Sequence, residues 1–312
     1  MDQQIILITG ATTGIGKHAA LHLARKGHRV IATGRNGQAL AALKDEAGDL
    51  PLETVRLDVT NQKSIEAAKA EIDHMTQGYG VDVLVNNAGY GAAAPLIESP
   101  DAEVRSQYET NVFGLLAVTR AFVPAMMERQ SGRVINVSSV GGRVTMPLFG
   151  AYNSTKYAVE SLSDALRLEL QPFGISVSVV EPGPIKTEFS NRSVQDVAQY
   201  QDTSSRYAKV MVKADEIKKQ ADGMSADPIV VSRAIEKAAV GSRPRPRYIA
   251  PFSSAVGLFF MSMMPTRALD WVMRRLTGLS TRVLLPETPK PASVRPPRLV
   301  PSTRDERQPL HA

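Results

Sequence analysis

Cysteine is missing from all 312 residues. Disulfides, thiolate metal sites and a cysteine nucleophile are therefore excluded, and the composition suits a reducing compartment. Tryptophan occurs once and histidine five times. His18 and His22 stand one helical turn apart, but no third ligand accompanies them, so no metal is expected. Long apolar runs are missing too. Ile5-Ile6-Leu7-Ile8 is too short for a secretory h-region and runs into a glycine turn. The apolar stretches within 253–278 fall short of the roughly 20 residues a membrane span needs, and Pro265 interrupts them. A cytoplasmic location is expected. No large charge excess exists: the net charge is +6, from 37 basic and 31 acidic residues. Arg243, Arg245 and Arg247 form a local basic cluster that reads as solvated surface, with anionic lipid as the alternative. No stacking or groove-reading motif accompanies it, and no nucleic-acid partner is expected.

What is present is an alternation of short apolar runs and helical spacings. Strands are expected near residues 4–9, 29–33, 52–57, 81–85, 133–137, 175–180 and 247–250. Helices are expected over 14–26, 64–75, 102–129, 152–170 and 228–240. Such alternation implies an α/β domain with a doubly wound parallel sheet covered on both faces. One Rossmann-type domain is expected over 1–250, with 190–225 as a polar, lid-like insertion. Residues 251–285 read as an apolar helical extension and 286–312 as a disordered Pro/Arg-rich tail. Helices 112–127 and 152–170 are apolar on more than one side, which points to a homo-oligomer.

The first strand leads into Thr9-Gly10-Ala11-Thr12-Thr13-Gly14-Ile15-Gly16. Glycines at such a turn let backbone N–H groups approach a pyrophosphate, and the helix start adds partial positive charge. The second strand ends in Gly34-Arg35 rather than in the acidic residue that binds a ribose 2′-hydroxyl. A guanidinium there matches a 2′-phosphate, so NADP(H) is the expected cofactor. Downstream, Tyr152 and Lys156 are at i, i+4 and share a helix face. A tyrosine can deliver a proton to a carbonyl oxygen, and a neighbouring lysine charge is expected to lower its pKa. Tyr157 has no cation at the same offset.

These residues, with Ser139 thirteen positions before Tyr152 and Asn111 in Thr110-Asn111-Val112-Phe113-Gly114, resemble the single-domain short-chain dehydrogenase/reductases. The resemblance is nearest to the hydroxysteroid and retinol dehydrogenase group. It covers most of the chain and includes the run Asn86-Asn87-Ala88-Gly89. It implies that Ser139 hydrogen-bonds the substrate oxygen and that Asn111 holds a relay water. Asp58 and Val59 are implied at the adenine, and Asn87, Ala88 and Gly89 beside the cofactor. Pro182, Gly183, Ile185 and Thr187 are implied on the nicotinamide side. Ser138 is expected to be structural. Val144, Met146, Leu148, Phe149, Ile185 and Phe189 would line an apolar cleft, so a hydrophobic carbonyl or alcohol of steroid, retinoid or acyl type is the expected substrate. A noncatalytic NADP(H)-binding regulator is the rival, opposed by the intact Ser139/Tyr152/Lys156 set. A sugar-nucleotide epimerase would call for other glycine spacing and a larger substrate domain. Leu258, Phe259, Phe260, Met263, Met264 and Trp271 are expected to pack on the sheet or on a neighbouring subunit, with a membrane surface as the alternative.

Overall fold

The structure is a computed structural model that describes residues 3–187, 205–212, 223 and 225–284. Seven strands form one sheet of order β3-β2-β1-β4-β5-β6-β7, and every pairing is parallel. The strands are β1 (Ile5–Ile8), β2 (Arg29–Gly34), β3 (Leu52–Arg56), β4 (Val83–Asn86), β5 (Gly132–Val137), β6 (Ile175–Pro182) and β7 (Arg247–Ala250). They are joined by α1 (Gly14–Arg25), α2 (Gly37–Ala47), α3 (Gln62–Met75), α4 (Asp101–Tyr108), α5 (Leu115–Glu128), α6 (Gly150–Leu170) and α7 (Ile229–Val240). After β7 come α8 (Phe252–Met263), α9 (Thr266–Thr277) and the single turn α10 (Thr281–Leu284).

Strand pleating divides the core into two layers. Ile6 and Ile8 of β1 face one cluster, built with Leu23 of α1, Leu43 of α2 and Ile235 of α7. Leu7 faces the other, with Ile65 and Ile72 of α3 and Phe122 and Met126 of α5. Strands buried on both faces read as continuous apolar runs, which is why β1 and β4 carry almost no polar residue. His18 and His22 face α7. Their ring nitrogens lie 2.7 Å from Ser232 Oγ and 2.6 Å from Glu236 Oε2, tying α1 to α7.

The strand order reverses between β1 and β4, and ligands of open α/β sheets bind outside the carboxyl ends of strands at such a point. The glycine turn after β1 and the Asn86–Gly89 run after β4 meet there. Thr9 Oγ1 accepts the backbone N–H groups of Asn87 and Ala88, both at 3.0 Å. The helical region expected over 102–129 is interrupted by a π-helical turn, Glu109–Gly114, between α4 and α5. Residues 101–128 are long and apolar enough to cross a membrane, but Val118, Phe122 and Met126 bury one side of that run against the sheet.

Candidate active site

The amino end of α1 differs from those of its neighbours. Asn36 and Asn61 cap α2 and α3 with their side chains, whereas Thr13 makes no side-chain cap on α1. No acidic residue lies in the first turn of α1, so its leading N–H groups are left to an anion. The turn before it is tightly shaped. Gly10 has φ +64°, and a Cβ there would come within 2.8 Å of Ala88 Cα. At Gly16 a Cβ would collide with the Asn87 amide and the Gly10 carbonyl. The Asn87 amide itself donates to the carbonyls of Thr9 and Gly10, both at 3.0 Å. Thr187 stands beside Gly14, so the segment after β6 reaches the cradle. Thr12 packs against Gly34, which has no room for a side chain, and Arg35 beyond it is exposed. Asp58, after β3, accepts from the Thr60 N–H at 3.0 Å and hydroxyl at 2.8 Å, and Val59 packs on Gly114. An uncapped helix start, glycines that a side chain would fill and an open rim at Arg35 fit a dinucleotide. Gly10, Gly14 and Gly16 would cradle its pyrophosphate and Arg35 a 2′-phosphate.

The four candidate catalytic residues converge on the same edge. Ser139 caps the short 3₁₀ turn Val140–Gly142, its Oγ accepting the Gly141 N–H at 3.0 Å. The same hydroxyl donates to the Pro182 carbonyl at 3.5 Å and stands near enough to the Tyr152 hydroxyl to act on its titration. Lys156 is buried, and its Nζ donates to the Val137 carbonyl at 2.9 Å while lying 5.8 Å from the Tyr152 ring centre. Asn111 sits in the π-helical turn. Its amide donates to the Tyr90 carbonyl at 2.8 Å and to Thr155 Oγ1 at 3.0 Å, and its Oδ1 accepts the Tyr90 N–H at 3.0 Å. A Cβ on Gly89 would stand 2.9 Å from Asn111 Oδ1 and 3.6 Å from Lys156 Nζ, so the absence of a side chain there keeps these groups together. Ser138 is buried on the other side of the strand against Gly142, and Tyr157 is exposed.

One expectation is corrected. Burial pushes the Tyr152 hydroxyl up to about 12, and the neighbouring Ser139 hydroxyl only partly opposes it. Burial also pushes Lys156 down to about 8, against the pull of the Glu160 carboxylate. Desolvation disfavours the charged form of each group. Tyr152 therefore keeps its proton at neutral pH, the form a proton donor to a carbonyl needs.

Around the outer rim, Ala93, Ala94 and Met211 form a small apolar cluster with Leu148, Phe149 and Tyr207. Leu148 is held at φ +70°, a strained position for a branched residue, while its carbonyl accepts the Ala94 N–H at 2.8 Å. Val144 is buried, whereas Met146, expected in the cleft, is nearly half exposed. Ile185 bridges to Ala226. Phe189 and most of the lid expected over 190–225 lie outside the described residues. The described part packs on the alanine loop, and Ser205 hydrogen-bonds Glu98 at 2.6 Å.

Two features escaped sequence reasoning. Asn153, beside Tyr152, is buried; its amide donates to the Gly141 carbonyl at 2.8 Å and its Oδ1 accepts the Met146 N–H at 3.2 Å. It fixes the loop that carries Ser139, and only its position next to the tyrosine could have flagged it. Glu160 and Glu181 are buried together and held by Arg247 and Arg143. They are far apart in sequence, and no local pattern signals the pair.

The short chain dehydrogenase profile matches residues 4–198. A 3-ketodihydrosphingosine reductase of Bacteroides thetaiotaomicron is 37% identical over 220 residues, covering 69% of this chain and 78% of that protein. An NADPH-dependent 3-dehydrocapnine reductase of Ornithobacterium rhinotracheale is 31% identical over 268 residues, 85% of this chain and 94% of its own. A solved short-chain dehydrogenase from Streptomyces avermitilis matches with a TM-score of 0.70 at 32% identity, covering 89% of this chain and 96% of that one. The closed form of serine dehydrogenase complexed with NADP+ matches at 0.68 and 30%, covering 80% and 95%. The profile spans more than half of the chain and agrees with the sheet order and the glycine turn. The chain belongs to the short chain dehydrogenase family, oxidoreductases that interconvert carbonyls and alcohols with a nicotinamide dinucleotide.

Proposed function

We propose that the protein is an NADPH-dependent reductase of a ketone or aldehyde on a hydrophobic small molecule. The observation that carries this reading is the convergence of four side chains: Lys156 Nζ lies 5.8 Å from the Tyr152 ring centre, Lys156 and Asn111 gather around Gly89, and the Ser139 hydroxyl stands beside that of Tyr152. Bound NADPH supplies the hydride. Tyr152, protonated at neutral pH, gives its proton to the substrate oxygen, and Ser139 holds that oxygen by a hydrogen bond. Lys156 and Asn111 form the inner end of the proton path. A noncatalytic regulator would have no use for this set.

The cofactor preference rests on Gly34 and Arg35: β2 ends in a glycine followed by a guanidinium, with no carboxylate at either position. The name of the Ornithobacterium relative also specifies NADPH. The substrate class rests on the apolar rim of Ala93, Ala94, Phe149 and Met211 and on relatives named for 3-keto and 3-dehydro substrates. Assembly as a homo-oligomer is part of the reading, because Phe113 and Leu168 stand exposed on the π-helical turn and α6. The test is NADPH consumption by the purified protein against long-chain aldehydes, steroid ketones, 3-oxoacyl thioesters and long-chain 3-keto amines. Turnover of at least one class is expected. Tight NADPH binding with no turnover across the panel would favour the regulator.

A further inference from the structure

The helices after β7 turn their largest apolar side chains outward. Residues 252–266 contain no charged side chain. Along α8, Phe252, Val256, Phe259, Phe260 and Met263 recur at i, i+4, i+7, i+8 and i+11, which is one stripe of a helix. All five are exposed, Phe252 at 80% and Met263 at 70%. The other side of α8 anchors it: Ser254 lies so close to Gly183 at the end of β6 that the glycine could carry no Cβ. Of the packing expected on the sheet or on a neighbouring subunit, the sheet does not cover Phe259, Phe260 or Met263.

Helix α9 supplies the complement. Arg267, Trp271, Arg274 and Arg275 fall at i, i+4, i+7 and i+8, and all four are exposed, Trp271 at 67%. Met273 is buried on the inner face. Asp270 is the only acidic residue between 252 and 280. An uncharged aromatic and methionine stripe followed by a tryptophan set among arginines is the pattern of a helix lying in a bilayer interface: apolar side chains enter the acyl boundary and arginines reach the phosphates. Soluble proteins rarely leave such a contiguous apolar surface to water. Charge favours lipid over a second copy: the face carries Arg267, Arg274 and Arg275 against Asp270 alone.

We propose that α8 and α9 form a docking surface for an anionic lipid bilayer. The docking uses none of the residues assigned to the reaction, so it stands whether or not the proposed reaction is correct.

Trp271 is the only tryptophan, so its emission reports on α9 alone. Full-length protein is mixed with phosphatidylcholine vesicles with and without phosphatidylglycerol. With the anionic vesicles the protein should float, Trp271 emission should shift to the blue, and brominated acyl chains should quench it. High salt should reverse all three effects. Phe259→Ser with Phe260→Ser should weaken vesicle binding by about tenfold or more. Arg274→Glu with Arg275→Glu should remove the preference for anionic vesicles. Unchanged circular dichroism would establish that the variants fold; if they do not, bromolipid quenching and salt reversal on the wild type decide. An unshifted Trp271 and no flotation at low salt would overturn the proposal. So would blue emission shielded from acrylamide without lipid. Loss of that shielding on dilution would identify a second copy as the cover, and persistence would identify another segment of this chain.

Discussion

At Lys156 burial works against charge. Its amine titrates near 8 in the folded chain, against 10.5 when unperturbed, because burial outweighs the attraction of Glu160. Between those two pH values the unfolded chain holds a proton that the folded chain has lost. Stability from this group therefore rises with pH from about 8 to about 10.5, by something on the order of 3 kcal/mol. Tyr152 acts in the opposite sense. Its folded hydroxyl keeps a proton up to about 12, so its contribution falls as pH rises above the unfolded value of about 10. Lys156→Met should lose the rise between pH 8 and 10 in thermal unfolding while keeping the later fall; an unchanged pH profile would contradict the buried-lysine assignment. Arg35 poses a separate test. Only NADPH carries a 2′-phosphate, so Arg35→Ala should weaken NADPH by about tenfold or more, the scale of one charge-assisted contact, and leave NADH nearly unchanged. Paired dissociation constants measure this, and equal losses would contradict the assignment.

The first βα element carries the sharpest conflict between local and tertiary preference. Helix propensity alone would make Gly16→Ala favourable by about 1 kcal/mol. The new methyl group would collide with the Asn87 amide and the Gly10 carbonyl, and a backbone carbonyl cannot swing aside as a flexible side chain can. Gly16→Ala should lower the thermal midpoint by several degrees and reduce the stabilisation that added NADPH gives; a raised midpoint would show that the turn relaxes. Most elements on this edge were legible because their signals are local. Glycine spacing marks the cradle, i, i+4 spacing marks Tyr152 and Lys156, and apolar runs mark the central strands. Helix α2 was not anticipated. Its buried stripe is only Leu40, Leu43 and Ala47, and it opens on Asn36-Gly37, a turn-like pair that in the structure caps the helix through the Asn36 side chain. The π-helical turn at Asn111 was invisible for another reason. Within it the Asn111 side chain engages the backbone of Tyr90, a contact between segments 21 residues apart that no local pattern signals.

On the scale of the whole molecule, the parallel sheet brings three separate segments to one edge: the turn after β1, the run after β4 and the Ser139 loop after β5. Helix α6 then supplies Tyr152 and Lys156 from behind that edge, with Asn153 fastening the loop in front. The extension of α8 and α9 starts beside Gly183, on the same carboxyl side of the sheet, and carries the exposed apolar stripe. β7 ends at Ala250 and α8 begins at Phe252; the tail expected over 286–312 lies outside the described residues. Tyr152 is the proposed proton donor of this assembly. Tyr152→Phe keeps the ring and removes the transferable proton. With a carbonyl substrate from the panel, its kcat for NADPH oxidation should fall by at least about 10²-fold, with the NADPH dissociation constant nearly unchanged. Near-wild-type turnover in that variant would rule out Tyr152 as the donor.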